Sequence, residues 1–294
     1  MPTTKRKTNL TPYILLAPWF IGFVVFKVYP IISSFWYSLT ETNLILQETT
    51  FVGLQHYIEI FTTDNIFKTS FVATLKYVLI GTPMVMVAAF FIAFVLNFKL
   101  KGVNFFRTAY YIPSILGGNV AVSILWTMLF NTNGPINIVL GVFGIEPVNW
   151  LTNETYAVFV LIFLKTWQFG STMLIFLSAL QNVSASLYEA ASIDGASKAR
   201  QLFSITLPII TPMVLFNAIN VLVKAFQEFN SAYLITKGGP NRTTYFLNVY
   251  IYDTAFRMNN FGYASAITWI LLLIIGVLTA IIFSSSSYWV YYND

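Results

Sequence analysis

The chain has 294 residues, of which 57% are hydrophobic and only 9% charged, against about a quarter charged in an ordinary soluble domain. At a mean hydropathy of +0.70, one soluble core cannot hide this much apolar surface, which excludes a soluble enzyme and a disordered regulator. Zero cysteines exclude a disulfide scaffold and thiolate metal sites, the single histidine, His56, excludes a His-rich metal centre, and the formal net charge of +5 is too diffuse for a nucleic-acid partner.

A helix needs about 20 apolar residues to cross the hydrocarbon core. Six stretches qualify: Tyr13–Leu39, Phe71–Phe98, Ala109–Phe130, Ala157–Leu180, Ile209–Ile235 and Tyr263–Phe283. They are long and continuous rather than alternating, so membrane strands are excluded. The fold expected is all-α and integral to the membrane, with about six transmembrane helices. A tail over 1–12 precedes a six-span body over 13–285, and a second tail covers 286–294. Lys5-Arg6-Lys7 precedes an apolar run too long for a signal peptide and without an A-x-A-like cleavage site, so it reads as a retained first helix.

Lysine and arginine in the short loops set the orientation. With both termini in the cytoplasm, Lys5, Arg6, Lys7, Lys99, Lys101, Arg107, Lys198 and Arg200 lie inside, against Lys68, Lys237, Arg242 and Arg257 outside. Lys27, Lys76, Lys165 and Lys224 fall within the spans. The first external segment is long enough for a small ordered shelf, and Asn133-Gly134-Pro135 and Gly238-Gly239-Pro240 are turn signals.

The usual signatures of chemistry are missing. There is no G-x-x-x-x-G-K-[ST] phosphate loop, no H-E-x-x-H and no G-x-S-x-G. No two carboxylates share a span, which argues against an intramembrane aspartyl protease. The chain reads as a membrane protein that is not an enzyme, with no cofactor and no metal site.

The segment from Ser184 to Pro212 carries the most information. Ser186-Leu187-Tyr188-Glu189 fits a capping box, and Ala190, Ala191 and Ile193 continue a short helix. Asp194-Gly195 breaks it, because glycine accepts the left-handed conformation that ends helices. A second helix is expected from Ala196 towards Leu207, with Pro208 and Pro212 marking the turn into span five. Physics leaves two readings open: a plain interfacial connector, or a docking element whose small residues let a cytoplasmic partner come close.

Glu189-Ala190-Ala191, two residues, Asp194-Gly195-Ala196, eight residues, Ile205, one residue and Leu207-Pro208 resemble the EAA loop of binding-protein-dependent ABC importer permeases. Every fixed position of that pattern is filled, within an EAA loop over 184–208. Tyr29-Pro30 resembles the family's pair in span one. Phe105-Phe106-Arg107, Thr236-Lys237-Gly238-Gly239-Pro240 and Gly262-Tyr263-Ala264-Ser265-Ala266 resemble its sugar-transporter branch, with the maltose and glycerol-phosphate permeases the nearest group. Leu202 followed by Phe203 departs from the many members that place the aromatic one position earlier, a change of local packing.

The resemblance implies an importer of several parts in a bacterial or archaeal plasma membrane. This chain would form the sugar path, with an oligosaccharide the expected cargo, together with a second related permease in a heterodimer. Two cytoplasmic ATPase subunits would receive the EAA loops. An extracellular solute-binding protein would deliver the sugar. The missing phosphate loop agrees, since ATP hydrolysis would then lie on another chain. The rival within transport is an ion-coupled secondary carrier working alone, for which Glu228 is the main buried acid.

Charges within a span cost about 2.5 to 3.5 kcal/mol on insertion scales, so Lys165, Lys224 and Glu228 need an explanation. Lys224 and Glu228 are four apart and would share a helix face. They form either a structural ion pair or the wall of a polar cavity. Trp167, Gln168, Phe226, Gln227 and Asn230 lie around them and carry the aromatic faces and amides that suit a sugar. Gly117-Gly118 reads as a kink or a close helix contact.

Overall fold

The computed structural model describes residues 11–43, 48–98 and 101–291. Lys5, Arg6, Lys7 and Lys99, used above for orientation, lie outside them. The described chain divides into two compact units: residues up to Thr63 with Ile251–Ile270, and Asp64–Tyr250 with the chain from Leu271 onward.

In the first unit, α1 (Thr11–Phe23) passes through a wide turn at Val24–Val28 into α2 (Tyr29–Ser38). The turn has a physical cause in Pro30. A proline ring clashes with the carbonyl four residues back, and the helix widens by one residue just before it, so that Tyr29 N–H bonds to the Val24 carbonyl. The expected shelf follows α2. It is an antiparallel hairpin of β1 (Thr40–Asn43) and β2 (Glu48–Phe51), in register Thr40 with Phe51, then α3 (Gln55–Thr62). His56 is buried and its Nε2 bonds to the Thr40 carbonyl at 3.2 Å, so the lone histidine is structural. Gly262 packs against that same carbonyl so closely that a Cβ would overlap it.

The second unit holds α4 (Asn65–Leu96), α5 (Val103–Leu116), α6 (Val120–Leu129), α7 (Pro135–Val142), α8 (Glu154–Trp167), α9 (Gly170–Gln181), α10 (Ala185–Ile193), α11 (Lys198–Gln201) and α12 (Leu207–Phe226), and α13 (Leu247–Tyr252) begins in it and ends in the first unit. α14 (Phe261–Trp289) runs from the first unit into the second. α4, α9 and α12 share a core in which Ala89 and Ala93 meet Met173, Phe176, Leu177 and Ile210, all buried. Alanines let helix backbones approach where lipid removes the usual hydrophobic drive. The outer surface is the reverse of a soluble one: Phe26 is 77% and Phe105 72% exposed, and lipid covers such surface.

Among the described residues, four helical segments are long and apolar enough to span, Leu15–Ser38, Asn65–Leu96, Lys198–Phe226 and Phe261–Trp289. Two bent pairs bring the number to as many as six: α5 with α6, bent by 104°, and α8 with α9, bent by 46°.

Four expectations need correction, the first being that Ala157–Leu180 is not one helix but α8 and α9, bent by 46°. Ala109–Phe130 is not one helix. Gly117 leaves the helical region at ψ 140°, Gly118 takes φ +74°, and the Asn119 side chain caps α6 by accepting from Ala121 N–H at 3.0 Å. Ile209–Ile235 is not one helix either, since α12 ends at Phe226 and the chain restarts at a wide turn over Ala232–Thr236. Pro208 and Pro212 do not turn the chain. α11 runs through a wide turn at Leu202–Thr206 into α12, with Leu207 N–H bonded to the Leu202 carbonyl, the device already seen before Pro30. Pro212 has no N–H for the Pro208 carbonyl, and Thr211 Oγ1 donates to that carbonyl instead, at 2.6 Å.

Candidate functional site

The break between α12 and its restart builds a polar site. With the helix ended at Phe226, Glu228 leaves the helical register and no longer shares a face with Lys224. Its Oε2 lies 3.4 Å from Lys165 Nζ in the last turn of α8, and both side chains are largely buried. Its Oε1 accepts from Ser231 N–H at 3.1 Å and Ser231 Oγ at 2.8 Å, so Glu228 caps the helical turn that follows. The expected shared face with Lys224 is therefore lost, and of the two lysines within the spans it is Lys165 that pairs with Glu228. Lys224, exposed near the end of α12, has no ion pair among the described residues.

These groups line a cavity of about 350 Å³. Lys165, Gln168, Lys224, Gln227, Glu228 and Asn230, all singled out from the sequence, lie on its wall. Two other candidates do not. Trp167 packs against Trp126 with ring centroids 5.3 Å apart, and Phe226 is fully buried in the core. Both are aromatic residues whose burial pays off in packing. Residues that sequence reasoning missed complete the wall: Ser114, Asn119, Ser123, Ser171 and Thr172. The Gly117-Gly118 kink also belongs here. A Cβ at Gly117 would crowd Gln168 Oε1 at 3.2 Å, and Asn230 Nδ2 donates to the Gly118 carbonyl at 3.3 Å. A helix broken within an apolar span frees backbone polar groups, which are tolerated where they line a cavity.

The segment between α9 and α12 is the second candidate element. α10 starts from Ser184, whose side chain makes no cap bond to the backbone and instead pairs with Ser186 Oγ at 2.8 Å. The capping box expected at Ser186 is thus not formed, because the helix begins before it. The break at Asp194-Gly195 is present, with Gly195 at φ +75°. Ser197 then caps α11 by accepting from Arg200 N–H at 3.3 Å. Glu189, Ala190, Asp194 and Gly195 are exposed, whereas Ala191, Ala196, Ile205, Leu207 and Pro208 are half-buried. Ile193 stands 87% exposed beside the turn. Tyr188 Oη and Thr206 Oγ1, 2.8 Å apart, bind α10 to the foot of α12.

Several apolar spans with a polar cavity among them, joined on one side by an exposed helix–turn–helix, define an integral membrane permease. The family described as binding-protein-dependent transport system inner membrane component matches residues 70–292, and the chain belongs to it. It is a multi-pass protein of the plasma membrane. The probable ABC transporter permease protein YesP of Bacillus subtilis is 43% identical over 292 residues, covering 98% of this chain and 94% of that one. The lactose transport system permease protein LacF of Rhizobium radiobacter is 32% identical, covering 94% and 93%. The sn-glycerol-3-phosphate transport system permease protein UgpA of Salmonella typhimurium is 31% identical, covering 94% of each. These relatives bear out the resemblance to the maltose and glycerol-phosphate permease group. A chain of the bacterial alginate ABC transporter, solved in complex with an alginate pentasaccharide-bound periplasmic protein, matches with a TM-score of 0.83 at 21% identity over 95% of both chains. That is a likeness of fold.

Proposed function

We propose that this chain is the non-catalytic permease subunit of an ATP-driven sugar importer, with an oligosaccharide as cargo. It forms the path with a second, related permease as a heterodimer, with both termini in the cytoplasm. Two ATPase subunits receive the loops of the two permeases, here the exposed α10–turn–α11 element through Glu189 to Ala196, and an extracellular binding protein delivers the sugar. The observation that carries this reading is the polar cavity, whose amides and charges from α8, α12 and the turn after it offer a sugar both donors and acceptors.

The same geometry supports a mechanism. α10 is fastened to the start of α12 by Tyr188–Thr206 and by Gln201, whose Nε2 donates to Ser192 Oγ at 2.9 Å. α12 has 20 residues, about 30 Å at 1.5 Å per residue, and its far end carries Lys224. A push on α10 as the ATPases close moves α12 as a rod, and its far end is the cavity wall. Rocking that wall against Lys165 alternates access to the sugar.

The test is uptake of labelled oligosaccharides into vesicles bearing the full assembly. ATP-dependent, vanadate-sensitive uptake that falls with Gln168→Ala supports the reading. Uptake driven by an ion gradient without ATP would establish the secondary carrier instead.

A further inference from the structure

A second groove, of about 600 Å³, lies apart from the sugar cavity, between α4, α8 and the loop at 241–243. Its polarity is graded. Lys68, Lys76 and Arg242 contribute three cations against the carboxylate of Glu154, whereas Val72, Ile80 and Phe159 form an apolar wall. On α4, Lys68, Val72, Lys76 and Ile80 are spaced by four and share one face. The charge lies toward the N-terminal end of α4, and the wall turns apolar from there toward the middle of the span. On α8 the order repeats, from Glu154 and Thr155 at its start to Phe159. The wall is open, with Val72 and Phe159 each 47% exposed.

Lys76 is exposed within an apolar spanning helix and has no ion pair among the described residues. A lysine placed there needs a route to water or an anion. Arg242, also without an ion pair among the described residues, lines the groove from the loop at 241–243. Asn241 and Arg242 both take positive φ, 47° and 62°, a conformation that costs energy in residues other than glycine. The loop is kept there by Asn241 Nδ2 donating to Glu154 Oε1 at 3.0 Å and Thr243 Oγ1 donating to the Pro240 carbonyl at 2.8 Å.

We propose that this groove binds one anionic phospholipid. Its phosphate sits between Lys76 and Arg242, and an acyl chain lies along Val72, Ile80 and Phe159. The charge at one end and the apolar wall at the other match the two halves of such a lipid, which the surrounding bilayer supplies. A sugar would leave the apolar wall unused, and a free phosphate would need only the basic end.

The full chain, purified in detergent with the subunits that accompany it and stripped of lipid, is titrated with phosphatidylglycerol and, separately, with phosphatidylcholine, and read by native mass spectrometry. One phosphatidylglycerol is retained about tenfold more tightly than phosphatidylcholine, as basic juxtamembrane groups predict. Lys76→Gln with Arg242→Gln abolishes that preference, while Lys27→Gln leaves it unchanged. Arg242→Gln alone, on an exposed loop, weakens retention without risk to the fold, and Lys76→Arg with Arg242→Lys preserves it. Equal retention by the double variant overturns the proposal. Displacement of the lipid by millimolar inorganic phosphate overturns it in favour of a simple anion site. Loss of an accompanying subunit in Arg242→Gln overturns it in favour of a protein contact.

Discussion

Gln201 Nε2 donates to Ser192 Oγ at 2.9 Å and to the Ala196 carbonyl at 3.3 Å, so one amide clamps both sides of the Gly195 turn. The side chain is 3% exposed, and its Oε1 accepts from Lys198 Nζ at 3.2 Å. Gln201→Leu removes every one of these bonds and takes a donor from the half-buried Ala196 carbonyl, at a cost of about 1 kcal/mol. Gln201 lies in the first turn of the Lys198–Phe226 segment, ahead of its apolar run. Insertion is expected to remain normal while ATPase co-purification and uptake both fall. Unchanged co-purification would remove Gln201 from the docking element.

Gly195 isolates the backbone contribution. Nothing lies within 4 Å of a Cβ built there, so a side chain meets no clash and only the φ of +75° opposes it. Gly195→Val is expected to cost about 1 to 2 kcal/mol and to loosen ATPase binding. Gly195→Asn, which tolerates the left-handed region, should restore most of it. Equal defects in the two variants would point to a side-chain clash with the partner instead of a hinge.

Glu189 is exposed, and its removal leaves no buried partner. Glu189→Lys is expected to lower transport several-fold with membrane expression near normal, as measured by uptake per inserted chain. A collapse of expression would assign the residue to the fold.

The helix–turn–helix between α9 and α12 was largely legible, because a glycine after a polar residue and a run of small residues act locally. Its start was not, since Ser184 and Ser186 are both acceptable caps and the choice between them depends on packing. The cavity was half legible. Charges in an apolar span announce that they need partners, so Lys165 and Glu228 stood out. Which of Lys165 and Lys224 pairs with Glu228 did not, because that choice depends on α12 stopping at Phe226, and an apolar run conceals such an end. The signal was present in Gln227-Glu228 and Asn230-Ser231, a polar cluster that continues as a capped turn. Gly117-Gly118-Asn119 carried a similar signal, a pair of glycines followed by a good N-cap. Trp167 and Phe226 were misplaced because an aromatic suits a sugar face and a packed core equally well.

The Lys165–Glu228 pair separates a structural role from a transport role. Glu228→Gln keeps an oxygen for Ser231 N–H and Oγ but removes the charge that faces Lys165 Nζ at 3.4 Å. With side-chain exposures of 21% and 12%, Lys165 is left only partly solvated, at a cost of about 1.5 to 3 kcal/mol for a bond to a charged group. If the pair serves chiefly to pin α8 to the turn after α12, Glu228→Gln weakens assembly, and adding Lys165→Met restores it because no orphaned charge remains. Lys224→Met has no such effect, since Lys224 is not its partner. If the pair belongs to the sugar path, Glu228→Gln and the double variant both assemble yet take up less sugar, with an altered dependence on sugar concentration. The cavity position of both groups favours the second outcome. Co-purification of the subunits and concentration-dependent uptake, measured on the same preparations, decide between them. Full recovery of uptake in the double variant would assign the pair to structure alone.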